Sequence, residues 1–274
     1  MRKPYLYILA ICFFSCEEPP VFEAPDPVET PVVAIQTIET IFTKLPIEIV
    51  WEGNTTSREF IYELQYVDDP SIVHSWNELD TTGATSVTFD NLDEGNYIFT
   101  VRGLYNQDNI GSEVTLSFEV DAISGPALRI YPLSQTAKPG DEIDVYLYFE
   151  DVPENLSVTG LHVDIRINTD ELEFINDQFV FGELVTDFSG TAIYPDPIFS
   201  SGAESVSIVG VADENGLGVY GTGSIAKLRL RVKDQVGSFQ INIYQPEDAF
   251  QNINGDWHGF GDPVSGTVTV EEAE

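Results

Sequence analysis

Residues 221–232 read Gly-Thr-Gly-Ser-Ile-Ala-Lys-Leu-Arg-Leu-Arg-Val, and Lys233 follows. Apolar Ala226, Leu228, Leu230 and Val232 alternate with Lys227, Arg229, Arg231 and Lys233. A period of two is that of a strand with one buried side, so the apolar set faces a core and the cations face outward, neighbours roughly 6–7 Å apart. The same period recurs on both sides of this segment. Ile143, Val145, Leu147 and Phe149 alternate after the turn Lys138-Pro139-Gly140-Asp141. Leu161, Val163, Ile165 and Ile167 alternate next, which sends His162, Asp164 and Arg166 outward. Strands are also expected over 128–131, 172–175, 206–211, 239–243 and 266–270. Upstream, Ile47–Trp51, Ile61–Tyr66, Ser86–Phe89, Tyr97–Leu104 and Val114–Val120 continue the series, and helical periodicity is missing. Short strands at this spacing predict an all-β chain of two β-sandwiches in tandem, over residues 32–121 and 126–271. Only Ala122–Pro126 joins them, which leaves the modules little mutual freedom.

The composition supports two folded cores. Apolar residues make up 42% of the 274 and charged residues 21%, too apolar for global disorder. Against 46 Asp and Glu stand 12 Lys and Arg, a formal charge of −34. Nucleic acid is excluded as a partner, because its phosphates would be repelled. The only cysteines are Cys12 and Cys16, so neither sandwich can hold a disulfide, a thiolate nucleophile or a thiolate metal ligand.

The first residues read as an address. Arg2 and Lys3 precede an apolar run, Tyr5 to Phe14, too short to span a bilayer as a helix. Residues 1–15 are expected to be a signal peptide. Phe13-Phe14-Ser15-Cys16 resembles the lipobox of bacterial lipoproteins, with Phe13 where that family usually has Leu; the resemblance implies that Cys16 is acylated and becomes the first mature residue. Glu17 and Glu18 resemble the acidic export signal of surface-exposed lipoproteins in the Bacteroidota, which implies a cell-surface location on the outer membrane. Ordinary secretion is the plainer alternative. Residues 16–31 hold the acylated Cys and a Pro-rich acidic tether, which would span roughly 40 Å if fully extended. The lipid would be the only membrane contact.

Two family resemblances rest on ordered motifs. In the first module, Leu92, the turn Asp93-Glu94-Gly95-Asn96 and Tyr97, with Phe99 and Val101 after them, resemble the tyrosine corner of fibronectin type III domains. That implies an immunoglobulin-like sandwich in which the Tyr97 hydroxyl bonds nearby backbone and Trp51 sits in the core. The second module resembles a cohesin in Pro139-Gly140-Asp141 before an alternating strand, Asp151-Val152 and Leu156 in the connection, and Asp170-Glu171-Leu172-Glu173-Phe174 after the strand 164–168. The entry Gly221-x-Gly223-x-Ile225-Ala226-x-Leu228 completes the set. The resemblance implies a nine-stranded jelly roll that docks calcium-loaded dockerin modules. It also implies that the strands carrying His162, Asp164 and Arg166 and carrying Lys227, Arg229, Arg231 and Lys233 lie side by side in the docking sheet. The loops 187–201 and 252–262 are unusually long for the family.

Two readings of the cationic stripe stay open. It lands an acidic protein partner, dockerin-like, or it is paired with the chain's own carboxylates across strands. A polysaccharide is the alternative partner, with Tyr194, Trp257 and Phe260 in the long loops available to stack on sugar rings unless they pack down as lids. A structural adhesin is a further alternative. Trp76 reads first as a packing residue, and His74, His162 and His258 are scattered. Asp213–Gly216 and Asn252–Asp256 are oxygen-rich turns without the twelve-residue EF-hand pattern, and turn chemistry explains both. No cofactor or metal is expected on this chain; calcium would sit on the partner. No nucleophile elbow, phosphate loop or dinucleotide fingerprint occurs, so the chain reads as a binding protein and not an enzyme.

Overall fold

A computed structural model describes residues 29–68, 83–106, 109–175, 179–187, 198–199, 205–211 and 218–272. Cys16 and the tether up to residue 28, His74, Trp76, Tyr194 and the turn Asp213–Gly216 lie outside the described residues.

The first part of the chain contributes β1 (Val33–Ile35), β2 (Ile41–Phe42), β3 (Ile47–Gly53), β4 (Glu59–Tyr66), β5 (Ser86–Phe89), β6 (Gly95–Asn106), β7 (Asn109–Ile110) and β8 (Val114–Val120). One sheet runs β1-β3-β5 and the other β2-β8-β6-β4, with β7 on β6. Between them lies an aromatic core. Trp51 is 1% exposed and meets Phe60, Tyr62 and Phe99 at centroid distances of 5.8, 5.8 and 5.7 Å. Each such buried side chain contributes about 1.5–3 kcal/mol through area removed from water. Tyr97 is fully buried and its hydroxyl donates to the carbonyl of Asp93 at 3.0 Å, the local bond expected of this tyrosine.

The second part contributes β9 (Ala127–Tyr131), β10 (Ser134–Ala137), β11 (Glu142–Val152), β12 (Val158–Arg166), β13 (Leu172–Phe174) and β14 (Val180–Phe181). After the short helix α1 (Glu183–Asp187) come β15 (Ile198–Phe199), β16 (Ser205–Val211), β17 (Gly221–Val232), β18 (Gly237–Tyr244), β19 (Phe250–Asn252), β20 (Trp257–His258) and β21 (Gly266–Val270). One sheet has the order β10-β21-β18-β12-β16-β15, with the hairpin β19–β20 also on β12; the other has the order β13-β17-β11-β9, with β14 on β17. The alternating apolar residues of β11, β12, β17, β18 and β21 meet in one core. The chain is thus two β-sandwiches in tandem, as the strand pattern predicts. Short pieces such as β14, β15, β19 and β20 add to the long strands of the second sandwich.

The turn before β11 forms as its residues dictate. Gly140 has φ +88°, the left-handed region that costs glycine nothing, and the Asp141 carboxylate accepts the Lys138 N–H at 2.8 Å.

Candidate functional site

The two charged strands do not lie side by side. β17 pairs with β11, β13 and β14, whereas β12 pairs with β16, β18 and β19 in the opposite sheet. Alternation fixes which side chains leave the core but is silent on the sheet a strand joins. After β11, the connection through a single 3-10 turn, Glu154–Leu156, carries the chain across the core to the other sheet. His162, Asp164 and Arg166 therefore face one side of the sandwich, and Lys227, Arg229, Arg231 and Lys233 the other.

The stripe faces outward, as its pattern requires, but the chain's own groups hold it. Register sets Asp144 opposite Arg229 and Glu142 opposite Arg231 on β11, and Glu173 opposite Arg231 on β13. Asp144 takes Lys227 Nζ at 2.7 Å and Arg229 Nε at 2.7 Å, with Arg229 Nη2 on its second oxygen at 3.1 Å. Arg231 donates to Glu142 at 2.9 Å and lies 3.9 Å from Glu173. Lys233 Nζ donates to the carbonyl of Thr169. Partial burial pushes the Asp144 carboxyl up, but the bonds from Arg229 and Lys227 outweigh it and hold the group below the usual carboxylate range. The same bonds raise Lys227 and Arg229, and the Glu142 bond raises Arg231. Cross-strand pairing accounts for Lys227, Arg229 and Arg231, while Lys233 meets a carbonyl, so little of the stripe's positive charge is left for an acidic partner.

The other sheet presents an open outer side of different character. Asp164 accepts Ser207 Oγ at 2.6 Å and Arg166 Nη2 at 3.3 Å, and His162 Nε2 stands 3.8 Å away. The Arg166 guanidinium lies over the Tyr244 ring at 4.1 Å. Around them stand exposed Ser238, Gln240 and Asn242, with Gln240 donating to Thr267 at 2.8 Å. Strands β10, β12, β16, β18 and β21 contain one carboxylate among them, Asp164, and one strong base, Arg166.

The two described loop aromatics part ways. Trp257 pairs with Gln251, whose neighbour Phe250 points into the core, so the indole projects on the outer side of the β12 sheet and is 54% exposed. Phe260 is not available as a stacking surface. It is 9% exposed and packs on Phe250 at 4.4 Å and Phe149 at 5.4 Å, closing the end of the core as a lid. The turn before Trp257 spends its oxygens on itself: Asn252 Oδ1 accepts the N–H groups of Asn254 and Asp256, both at 2.9 Å. Among the described residues no group of three His, Cys, Asp or Glu is placed to hold a metal.

A buried charge cluster at the joint was not anticipated. Arg129 is 3% exposed; its Nε donates to Glu150 at 2.6 Å, its Nη1 lies 3.7 Å from Asp93, and its guanidinium covers the Tyr148 ring at 4.6 Å. Asp93, from the first sandwich, is fully buried and accepts the Leu133 N–H of the second at 2.7 Å. Glu94 binds the linker, accepting Ala122 N–H and Ile123 N–H, both at 2.9 Å, while the Tyr66 hydroxyl donates to its carbonyl at 2.7 Å. Burial pushes the Glu94 carboxyl up to about 7 against the pull of those N–H groups. Burial also lowers Arg129, but Glu150 more than restores it. Tyr131 of the second sandwich joins the aromatic core of the first, its ring 6.5 Å from Tyr66, and Tyr146 and Tyr148 pack around Tyr131 at 6.1 and 5.0 Å. A cleft of about 490 Å³ opens beside the cluster, between Tyr66, Glu94, Glu119, Arg129, Tyr148 and Glu150. The signal in the sequence was a charge inside an apolar run: Arg129 sits in Ala127–Tyr131, every residue of which is buried.

No protein-family model matches the chain, and no curated protein matches it significantly. Solved structures similar to it include a non-cellulosomal cohesin from Archaeoglobus fulgidus, at 19% identity and TM-score 0.41, covering 53% of this chain and 90% of that one. A type I cohesin–dockerin complex from Clostridium thermocellum is similar at 17% identity and TM-score 0.43, over 55% and 97%. A type II cohesin from Acetivibrio cellulolyticus is similar at 11% identity and TM-score 0.41, over 52% and 94%. At such identities and scores these likenesses place the chain in no family and carry no partner over to it.

Proposed function

We propose that this chain is a non-catalytic docking protein, held on the outer membrane and facing outward through lipid on Cys16, whose second sandwich binds a protein partner. The binding surface is the outer side of the β18-β12-β16 sheet, and the fibronectin-like first sandwich is a spacer. The observation that carries this reading is the contrast between the two sheets. On the outer side of the β17 sheet, Lys227, Arg229 and Arg231 are held by Asp144, Glu142 and Glu173, and Tyr146 and Tyr148 pack around Tyr131, which meets Tyr66 of the first sandwich. The β12 sheet leaves His162, Arg166, Asn242 and Tyr244 exposed around a single compensated ion pair. An aromatic ring and an arginine held together on an open face are the side chains that most often anchor protein interfaces. The cohesin motifs of the second module suggest a dockerin-bearing partner, with calcium on the partner's side.

The test is capture of a panel of purified dockerin modules by the immobilised mature chain, with calcium and with chelator. Capture that falls about tenfold or more in Tyr244→Ala and Arg166→Glu, and is unchanged in Arg229→Glu/Arg231→Glu, is the expected outcome. Loss of capture in the stripe variant alone, or no capture of any module, would overturn it.

A further inference from the structure

We infer that the hairpin end of the β12 sheet is a binding platform for a neutral glycan chain, with the Trp257 indole as its stacking surface. The inference goes beyond protein docking and does not depend on it.

Three observations carry it. The first is exposure: Trp257 is 54% exposed on the outer side of the sheet, whereas the other described tryptophan, Trp51, is 1% exposed in a core. The second is rigidity. Asn252 fixes the turn through Asn254 N–H and Asp256 N–H, and its Nδ2 meets His258 Nε2 at 3.0 Å. Gln251 Nε2 donates to Gly255 at 2.9 Å, and Thr159 Oγ1 of β12 donates to the carbonyls of Gln251 and Asn252. Gly255, at φ +83°, takes the turn conformation that other residues resist. An indole on so braced a turn is held in place before any ligand arrives, which lowers the entropy cost of binding.

The third is charge. The chain carries −34, so an anionic polymer is repelled and a cationic one is drawn to carboxylates over the whole body. The β12 sheet has one Asp and one Arg, bonded to each other, among Ser, Thr, Asn and Gln. Its strands offer amides and hydroxyls that a neutral polyol can use, and the charge next to the indole is the exposed Asp256, which repels an anionic polymer and can accept hydrogen bonds from sugar hydroxyls. The negative face of an indole attracts polarised C–H groups, which a sugar ring presents in quantity.

The experiment uses the mature full-length chain and reads intrinsic fluorescence with cellohexaose, xylohexaose and mannohexaose, and pull-down on insoluble cellulose and mannan. Polygalacturonate and chitosan serve as anionic and cationic contrasts. At least one neutral glycan should shift the emission and retain the chain, equally at low and high salt. Trp257→Ala should lose about tenfold or more in affinity, and Trp257→Phe should keep part of it. Tyr244→Ala, which tests protein docking, should leave glycan binding intact. Silence with every neutral glycan, binding only to a charged polymer, or an unchanged Trp257→Ala overturns the inference. Trp257→Ala losing capture of a dockerin module while glycans stay silent would assign the indole to the protein partner instead, and would leave the docking proposal standing.

Discussion

Replacing Arg129 by Met tests how the two sandwiches are held together. The guanidinium is 3% exposed, so screening by water does not reduce its interactions as it does at a surface. At 2.6 Å from Glu150 the attraction is about 6 kcal/mol at an effective dielectric constant near 20, and at 3.7 Å from Asp93 about 4 kcal/mol. Desolvating three charged groups costs several kcal/mol each, so the cluster as a whole adds little net stability. Removing the cation alone is different. Met restores the apolar volume but leaves Glu150 and Asp93 buried without compensation, which costs about 3–5 kcal/mol. Chemical denaturation of the mature chain should show that loss, together with new proteolytic cleavage at 122–126. Arg129→Met/Glu150→Gln should regain at least half of it, because the second change removes one stranded charge. Arg129→Met unfolding within about 1 kcal/mol of the parent, with the linker still protected, would refute the claim that the cluster joins the sandwiches.

The Glu94 carboxyl sits at about 7 in the folded chain against an ordinary 4.5, so between those values the folded state holds a proton that the unfolded state has released. Its contribution to stability therefore declines as pH rises from 4.5 to 7, and Glu94→Gln should flatten that decline in denaturation curves collected across this window. Asp144, held below its ordinary 3.8, has the opposite sign: its contribution is present above that pH and is lost as pH falls through the folded value. Asp144→Asn should cost no more than about 1 kcal/mol at neutral pH, since the bridge is partly exposed, and the deficit should vanish in strong acid.

What the sequence made legible follows from what local patterns encode. Alternation in Ile143–Phe149, Leu161–Ile167 and Ala226–Val232 predicted strands and the sides on which their residues lie, because the side-chain period of a strand is a local property. It did not predict that β12 and β17 fall in opposite sheets, because sheet membership depends on pairings such as Arg229 with Asp144, 85 residues apart. That pairing also decided the reading of the stripe, and no count of cations on one strand contains it. The joint was hidden for a like reason. Asp93 and Glu94 look like turn residues ahead of Tyr97, and only contact with Arg129, Leu133 and the linker makes them buried groups.

The distribution of charge between the two sheets carries its own argument. Folding does not require a sandwich to keep charge off the outer side of a strand. The β11–β17 pair shows as much, with Glu142, Asp144, Lys227, Arg229 and Arg231 at outward positions. In a chain with 46 acidic residues, the near absence of charge from β10, β12, β16, β18 and β21 is therefore not imposed by the fold. Solubility alone would favour more carboxylates there, and edge protection would favour lysines. A surface that forgoes both, and leaves Tyr244 and Trp257 standing in water, has the character that the proposed contacts require.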